Sequence, residues 1–408
     1  MSRPDGVRGD KVWSNTWSSA SASTRRRWRL RRVVQKVVAV EQAEGRGGFR
    51  VHRSIGRKEL RRLDPFLLLD EFHVRRPAGF PDHPHRGFQT VTYMLKGGFH
   101  HQDNCGHSST IYKGDVQWMV SGRGVVHSEM PASEGDNKGL QLWINLPASH
   151  KMTYPGKFYQ ELSASRIPSV TTDGTTVKVV VGECLGMKSV VKTTPPVCYL
   201  DFLQEAGASV TQPIPNDWNA FIYVLSGTVG VVKDEESVES LIILSDVVVK
   251  DEESVESGAH HTLVLGEGEA VTVKNIGAER AHFILVAGAP IGEPVVQWGP
   301  FVMNTQEEID QANHDFQHAQ NGFENARKAS CRYIRGGSGE AIHYSLVLEG
   351  DSGEAIHYSL VLEGDSGEAI HYSLVLEGDS GEAIHYSLVL EGDSGEAIHY
   401  SLMLEGDL

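Results

Sequence analysis

The sequence predicts an all-β chain: two barrels or sandwiches in succession, then a C-terminal amphipathic helix and a repetitive tail. Three observations predict it. Short β-rich runs broken by glycine turns fall into two sets, within 33–150 and 174–303. A chain of 408 residues is long enough for two ordinary domains, each with its own core. Helical periodicity is confined to one segment, after the second set.

The head, residues 1–32, is rich in Ser, Trp and Arg, with six arginines between Arg25 and Arg32. It reads as an unstructured terminus, an organelle transit peptide or a nuclear localisation signal. In the first set, Val33–Val40 is a β-branched run and Phe66–Leu69 a buried apolar one. Gln89–Leu95 alternates around Val91, Tyr93 and Leu95, and Gly97-Gly98 supplies its turn. Gly114-Asp115 then precedes Val116–Val120, and Gly122-Arg123-Gly124 precedes Val125-Val126. A polar stretch at 151–173 is expected to connect the domains. The second set comprises Val177–Val181, Val197–Leu203, Phe221–Val232, His261–Leu265, Ala270–Val273 and His282–Ala287.

Within that second set, a ten-residue run at 231–240 recurs at 248–257. The added segment, 241–257, is expected to lengthen a surface hairpin, because barrels tolerate extra length in loops. Thr305 and Glu308 stand at capping-box spacing, and Ile309, Ala312, Phe316, Ala319 and Phe323 recur on one face. The pattern predicts a helix over 304–327 packed on a barrel. His314 and His318 lie one turn apart on it and read as part of a solvated face.

From Ser338 to Asp407 a 14-residue unit repeats five times, with apolar residues at alternate positions (Ile342, Tyr344, Leu346, Leu348) and a Glu-Gly-Asp-Ser-Gly turn. That pattern fits hairpin strands. The near-identity of the copies fits equally a recent duplication with no selected role.

Charge is informative only when divided along the chain. The net charge is −15, yet residues 338–408 hold 15 acidic residues and no Lys or Arg. The rest is balanced, with 38 acidic and 38 basic side chains, so a uniformly basic nucleic-acid-binding domain is excluded. No apolar run is long enough to span a membrane. Cys105, Cys184, Cys198 and Cys331 are scattered without a C-x-x-C pair, which argues against a disulfide framework or a thiolate zinc site and for a reducing compartment.

The chemistry concentrates in Phe80-Pro-Asp-His-Pro-His-Arg-Gly-Phe88 and Gly122-Arg-Gly-Val-Val-His-Ser-Glu-Met130. Residues i and i+2 of a strand face one side, so His83 pairs with His85 and His127 with Glu129. If the barrel joins these strands, three imidazoles and one carboxylate converge. Such a set suits a borderline divalent metal such as iron, manganese, copper or nickel and leaves positions for water, dioxygen or substrate. His100, His101, Asp103 and His107 are candidates to order a loop at the pocket mouth, with a structural or solvated role as the plainer reading. Phe72, Trp118 and Met119 are candidates to line a pocket for an aromatic ligand, with core packing as the plainer reading. The second barrel, with His260, His261 and His282 but no H-x-H pair, is expected to be metal-free.

At these residues the sequence resembles the pirin family of the cupin superfamily. The matching segments are Leu63–Phe72, Phe80–Phe88, Gly114–Met119, Gly122–Gly124, His127–Pro131 and Gly299–Thr305. The resemblance implies two stacked cupin barrels with one iron ion (Fe2+ or Fe3+) per chain, in the first barrel only, on His83, His85, His127 and Glu129. It implies an iron-dependent, redox-sensitive coregulator of a transcription factor in nucleus and cytoplasm. The alternatives are a quercetin 2,3-dioxygenase-type enzyme acting on a flavonol, with Glu129 as base, and a metal-binding barrel with neither activity. A monomer is expected, without direct contact to nucleic acid or membrane. Gln89 stands where many members have Glu, which puts the tuning of the site in doubt.

Overall fold

The computed structural model describes residues 28–43, 49–153, 158–232 and 254–326, together with the backbone of four tail strands. The first barrel is formed by β2 (Val40–Ala43), β3 (Phe49–Ile55), β4 (Phe66–Val74), β5 (Phe80–His85), β6 (Phe88–Lys96), β7 (Gly98–Asp103), β8 (Ser108–Tyr112), β9 (Val116–Val120), β10 (Val125–Pro131), β11 (Asn137–Asn145) and β12 (Phe158–Leu162), with a single helical turn, α1 (Ala148–Lys151), before the last of them. These strands make a seven-stranded sheet, β12-β9-β6-β11-β4-β3-β2, and a four-stranded sheet, β5-β10-β7-β8.

The second barrel repeats that plan. Its strands are β1 (Val33–Val38), β13 (Ser169–Thr172), β14 (Thr175–Val181), β17 (Val197–Gln204), β18 (Ser209–Pro213), β19 (Asn219–Ser226), β20 (Val229–Val232), β21 (Ser254–Ser257), β22 (His261–Leu265), β23 (Ala270–Asn275) and β24 (Ala281–Gly288), with a short hairpin of β15 (Glu183–Cys184) and β16 (Met187–Lys188). The larger sheet runs β1-β22-β19-β24-β17-β14-β13 and the smaller β18-β23-β20-β21. A further hairpin, β25 (Val296–Trp298) with β26 (Phe301–Met303), follows. The glycine-bounded β-branched runs of the sequence therefore become strands as expected, and the chain is all-β with two cupin-type barrels.

The seven-stranded sheets share one core. Leu69, Tyr93, Trp118, Leu140 and Leu142 of the first barrel pack with Tyr199, Phe221, Tyr223, Ile284 and Val286 of the second. Burying each such side chain is worth roughly 1.5–3 kcal/mol. Polar tips that reach the junction are satisfied across it, as where Tyr93 donates to Asp201 at 2.5 Å.

Four boundaries differ from the sequence reading. β1, expected at the start of the first barrel, pairs instead with β22 of the second. The connection at 151–173 is not a plain linker, because β12 completes the first large sheet and β13 the second. Both exchanges cover strand edges that would otherwise lie open. The last residues of the head are docked: Leu30 bridges Ala270, and the buried Arg31 donates to the carbonyls of Trp218, Gly266, Pro215 and Asn216. Residues 1–27 lie outside the described part.

The helix, α2 (Gln306–Gln317), carries the expected Thr305–Glu308 capping box but stops nine residues before Ala326. Ala319 and Asn321 have φ of 52° and 49°, a conformation no helix continues through. Ile309, Ala312 and Phe323 still pack beside Phe301, and His314 and His318 are exposed as expected.

Val229–Val232 pairs with Ser254–Ser257, so part of the second copy of the duplicated segment is a strand; 233–253 lies outside the described residues. In the tail, β27 (Ile342–Glu349) pairs with β28 (Ala355–Leu362), and β29 (Ile370–Glu377) with β30 (Ala383–Leu390). The fifth copy lies outside the described residues. Among the described residues no helix is long and apolar enough to cross a membrane.

Candidate metal centre

The centre forms inside the first barrel because β5 and β10 are adjacent in its smaller sheet. Their register sets His83 directly opposite His127 and His85 opposite Val125. β5 is the edge strand of that sheet, where Pro84 between the two histidines withdraws no needed ladder donor. The chain leaves β5 through Gly87 at φ +88°, and a Cβ there would lie 2.0 Å from the Val302 carbonyl oxygen, so only glycine fits.

The three rings converge. Centroids are 4.3 Å apart for His83 and His127, 4.7 Å for His83 and His85, and 4.9 Å for His85 and His127. One donor nitrogen from each lies within 4.8 Å of the others. Glu129 joins through His127: with His101, these two form a second overlapping group of donors within the same distance. A bulge between His127 and Glu129 shifts the register against β5, so that Glu129 lies opposite Phe80 on that strand.

The hydrogen bonds leave the right atoms free. His83 Nδ1 lies 2.7 Å from the Pro81 carbonyl and donates to it, which leaves Nε2 for a ligand. His127 Nδ1 meets His101 Nε2 at 2.5 Å. The remaining His127 Nε2 is buried without a hydrogen-bond partner. Burying an unpaired imidazole nitrogen is costly, and a cation at the convergence point removes that cost. The donor set present therefore fits a borderline divalent metal.

Electrostatics agree. Burial pushes His83, His85 and His127 below the usual imidazole range, so each is a neutral donor near pH 7. Burial pushes Glu129 up to about 7, against the opposing hydrogen bonds of Thr92 and Gln141. Thr92 Oγ1 lies 3.1 Å from one carboxylate oxygen and Gln141 Nε2 donates to the other at 3.1 Å, which fixes the carboxylate plane. A bound cation would restore the carboxylate.

Around the rings the wall is aromatic. Phe88 and Trp143 lie 5.0 and 5.3 Å from the His85 ring, and Phe80 lies 6.4 Å from His83. Of the pocket residues expected from sequence, Phe72 packs on Phe80 and Phe99 in the first barrel. Met119 is buried as the strand neighbour of Trp118. Trp118 does not line this pocket. It faces the other way, into the shared core, and donates to Gln89 at 3.0 Å. Gln89 in turn donates to the Thr194 carbonyl of the second barrel, so its tie is to the junction and not to the metal ligands.

Sequence spacing alone undervalues His101. It is buried against His127, and burial pushes it down to about 3. It sits opposite Glu129 on β7, two positions from Asp103, so its alternation with the ligand strand is the signal that marks it. Asp103 and His107 close the same end, where Tyr159 donates to Asp103 at 2.9 Å and stacks on His107 at 3.9 Å. His100 bonds Thr110 and stays outside the centre.

Among the described residues no such group lies within the second barrel alone. His261 folds onto its own turn, and His282 bonds Asp201 at 2.5 Å.

Comparison with known proteins follows the same division. Residues 48–144 match the family described as Pirin, and residues 199–322 match the Pirin C-terminal cupin domain. Pirin of Homo sapiens is 52% identical over 300 residues, covering 73% of this chain and 96% of its own. A pirin-like protein of Solanum lycopersicum is 53% identical over 300 residues, covering 74% of this chain and 96% of its own. Among solved structures, a quercetin 2,3-dioxygenase from Acinetobacter baumannii superposes with a TM-score of 0.60 at 30% identity, over 72% of this chain and 99% of that one.

Proposed function

The chain belongs to the pirin family, and from that premise we propose that it is a non-haem iron protein whose first barrel reads redox state for a transcription-factor partner. His83, His85, His127 and Glu129 would hold one iron ion, Fe2+ or Fe3+. When bound, the ion supplies a one-electron couple and Lewis acidity at the barrel mouth.

The chain's own residues do the rest. The Pro81 carbonyl and His101 orient two of the imidazoles, while Thr92 and Gln141 hold the carboxylate. Phe80, Phe88 and Trp143 line the site with apolar surface beside the rings.

The observation that carries the proposal is Arg86, next to His85. Its buried guanidinium pairs with Asp315 of α2 at 2.8 Å and donates to the carbonyls of Arg123 and Asn321. A change of one unit of charge at the centre acts strongly on such a neighbour in a low dielectric and would move the segment after α2. Affinity capture of candidate transcription factors by the iron-loaded chain, reduced and oxidised, tests this. Equal capture in both states, abolished in neither by His127→Ala, would refute it. The proposal includes a monomer in nucleus and cytoplasm, directed by the arginine-rich head, with the organelle transit reading as alternative. Imaging the chain with and without residues 1–27 separates these two.

A second reading is favoured by the aromatic wall and by the similarity to the bacterial quercetin 2,3-dioxygenase. Glu129, a carboxylate held beside His127 by Thr92 and Gln141, is suited to take the proton of a flavonol hydroxyl. Dioxygen uptake with quercetin, present in the iron-loaded chain and absent in His127→Ala, would establish it. Absence of both uptake and redox-dependent capture would leave a metal-binding barrel with neither activity.

A further inference from the structure

A different set of ligating side chains converges at the junction of the barrels. Glu41 on β2, His52 on β3 and Glu71 on β4 are direct cross-strand neighbours, so they form one row across the large sheet of the first barrel. His260, in the turn that leads into β22 of the second barrel, lays its ring parallel to that of His52. The centroids are 4.0 Å apart and the planes 8° from parallel. Donor atoms of His52, Glu71 and His260 all lie within 4.8 Å of one another, and His52 Nε2 is 3.7 Å from Glu41 Oε2.

The junction holds these groups in place. His260 has φ 58°, which non-glycine residues adopt rarely and keep only where the surroundings impose it. Its N–H donates to Val224 and its carbonyl accepts from Ala39. Glu71 Oε2 accepts from Tyr223 at 2.8 Å and lies 3.0 Å from His260 Nδ1. The three residues are partly exposed, so an ion has a route in. A tetrahedral ion with bonds near 2.0–2.2 Å needs its donors about 3.3 Å apart. Because an imidazole binds an ion in its own ring plane, the His52 and His260 rings must tilt out of their parallel stack to share one, a rearrangement open to partly exposed side chains.

We propose that His52, Glu71 and His260, with Glu41 as a fourth donor, form a divalent-metal site that clamps the two barrels together. Its chemistry selects zinc-class ions. Two imidazoles disfavour calcium and magnesium, and two carboxylates balance the charge of the ion. Burial and the neighbouring His260 lower His52, which keeps its lone pair available. The site shares no residue with the first-barrel centre and does not rest on the iron reading.

Titration of Zn2+ into the metal-stripped full chain, with elemental analysis after desalting, is the test. Wild type is expected to retain two ions. His52→Ala and His260→Ala should each lose one, with at least tenfold weaker binding at that step, while His127→Ala loses the other. Glu71→Gln, which keeps shape and the Tyr223 contact, guards against misfolding of the alanine variants and should weaken the same step. Co2+ loading should give four-coordinate visible absorption in wild type and in His127→Ala but not in His260→Ala. If His52→Ala, His260→Ala and Glu71→Gln all retain the wild-type stoichiometry and affinity, the stacked pair is packing only and the proposal fails. Loss of uptake in His127→Ala alone would overturn this site while supporting the other centre.

Discussion

β5 and β10 in one barrel and β18 and β23 in the other hold the same places in their four-stranded sheets. Where the first pair carries His83, His85, His127 and Glu129, the second carries Val210, Gln212, Val271 and Val273 at like i,i+2 spacing. The three valines join a closed aliphatic core, in which Phe202 and Phe283 stack at 5.1 Å. Gln212 is buried but turns its amide to the carbonyls of Glu183 and Pro213. One architecture thus holds a nitrogen-lined interior and an apolar, packed one. The difference teaches that the fold does not demand ligating side chains at these positions. The second barrel shows what the interior becomes when those positions are apolar, while both barrels contribute side chains to the shared core.

The sharpest way to break this contrast is to strip the first barrel of a ligand. His83→Ala or His127→Ala should reduce iron from about one ion per chain to near none after anaerobic reconstitution, since each removes a strong donor from a small set. Elemental analysis decides it. Iron retained in both variants would mean that the converging nitrogens are not the ligands.

The converse substitution belongs in the second barrel. Phe202→Ala should cost roughly 3–5 kcal/mol of stability, the usual penalty for an aromatic removed from a close-packed core, and leave the iron content of the folded protein unchanged. Denaturant unfolding combined with metal analysis reads both. Iron loss from the still-folded variant would show that the two interiors are coupled.

Glu129→Gln should weaken iron binding by roughly a hundredfold or more, beyond what supporting residues contribute. It should also raise the midpoint potential, because the anionic donor that favours the oxidised ion is gone. A potential that stays or falls in a redox titration would place Glu129 outside the coordination sphere. His101→Ala should have a smaller effect, about 10–100-fold in iron affinity, because it removes only the partner that orients His127. Unaltered affinity would make that contact incidental.

The contrast between the barrels is legible in the amino-acid sequence, because H-x-H and H-x-E are readable patterns at strand period two. That each pair points to one side follows from the period alone, and the adjacency of β5 and β10 completes the convergence of His83, His85 and His127. What stays illegible depends on which strand crosses to which barrel. Val33–Val38 reads as any β-branched run, and nothing local says that its partner is β22, more than two hundred residues away. Trp118 reads as a core residue or a pocket aromatic, and the direction in which β9 faces the second barrel puts it in the shared core. His52 and His260 are invisible as a pair for the same reason, since their proximity arises from barrel docking and no spacing encodes it. Arg31 reads as one more arginine of a basic run, although the carbonyls of the second barrel enclose it.

The smallest expected effect concerns the part of the chain that belongs to neither barrel. Deleting residues 338–408 should leave iron content, circular dichroism of the barrels and melting temperature unchanged within about 1 °C, since both large sheets are complete without it and it holds no paired ligands of the first-barrel kind. The relatives point the same way, because human pirin is covered over 96% of its length by 73% of this chain. Solubility is the property expected to respond. Each repeat alternates apolar residues along a strand, a pattern prone to edge pairing, and carries three acids that oppose it by repulsion. Removing the segment therefore removes both tendencies. Light scattering against salt separates them: added salt should promote association of the full chain, by screening the acids, and leave the truncated chain unaffected. A drop in melting temperature or iron on truncation would instead show that the repeats cover an edge of one barrel, and the comparison between the two would have to include that edge.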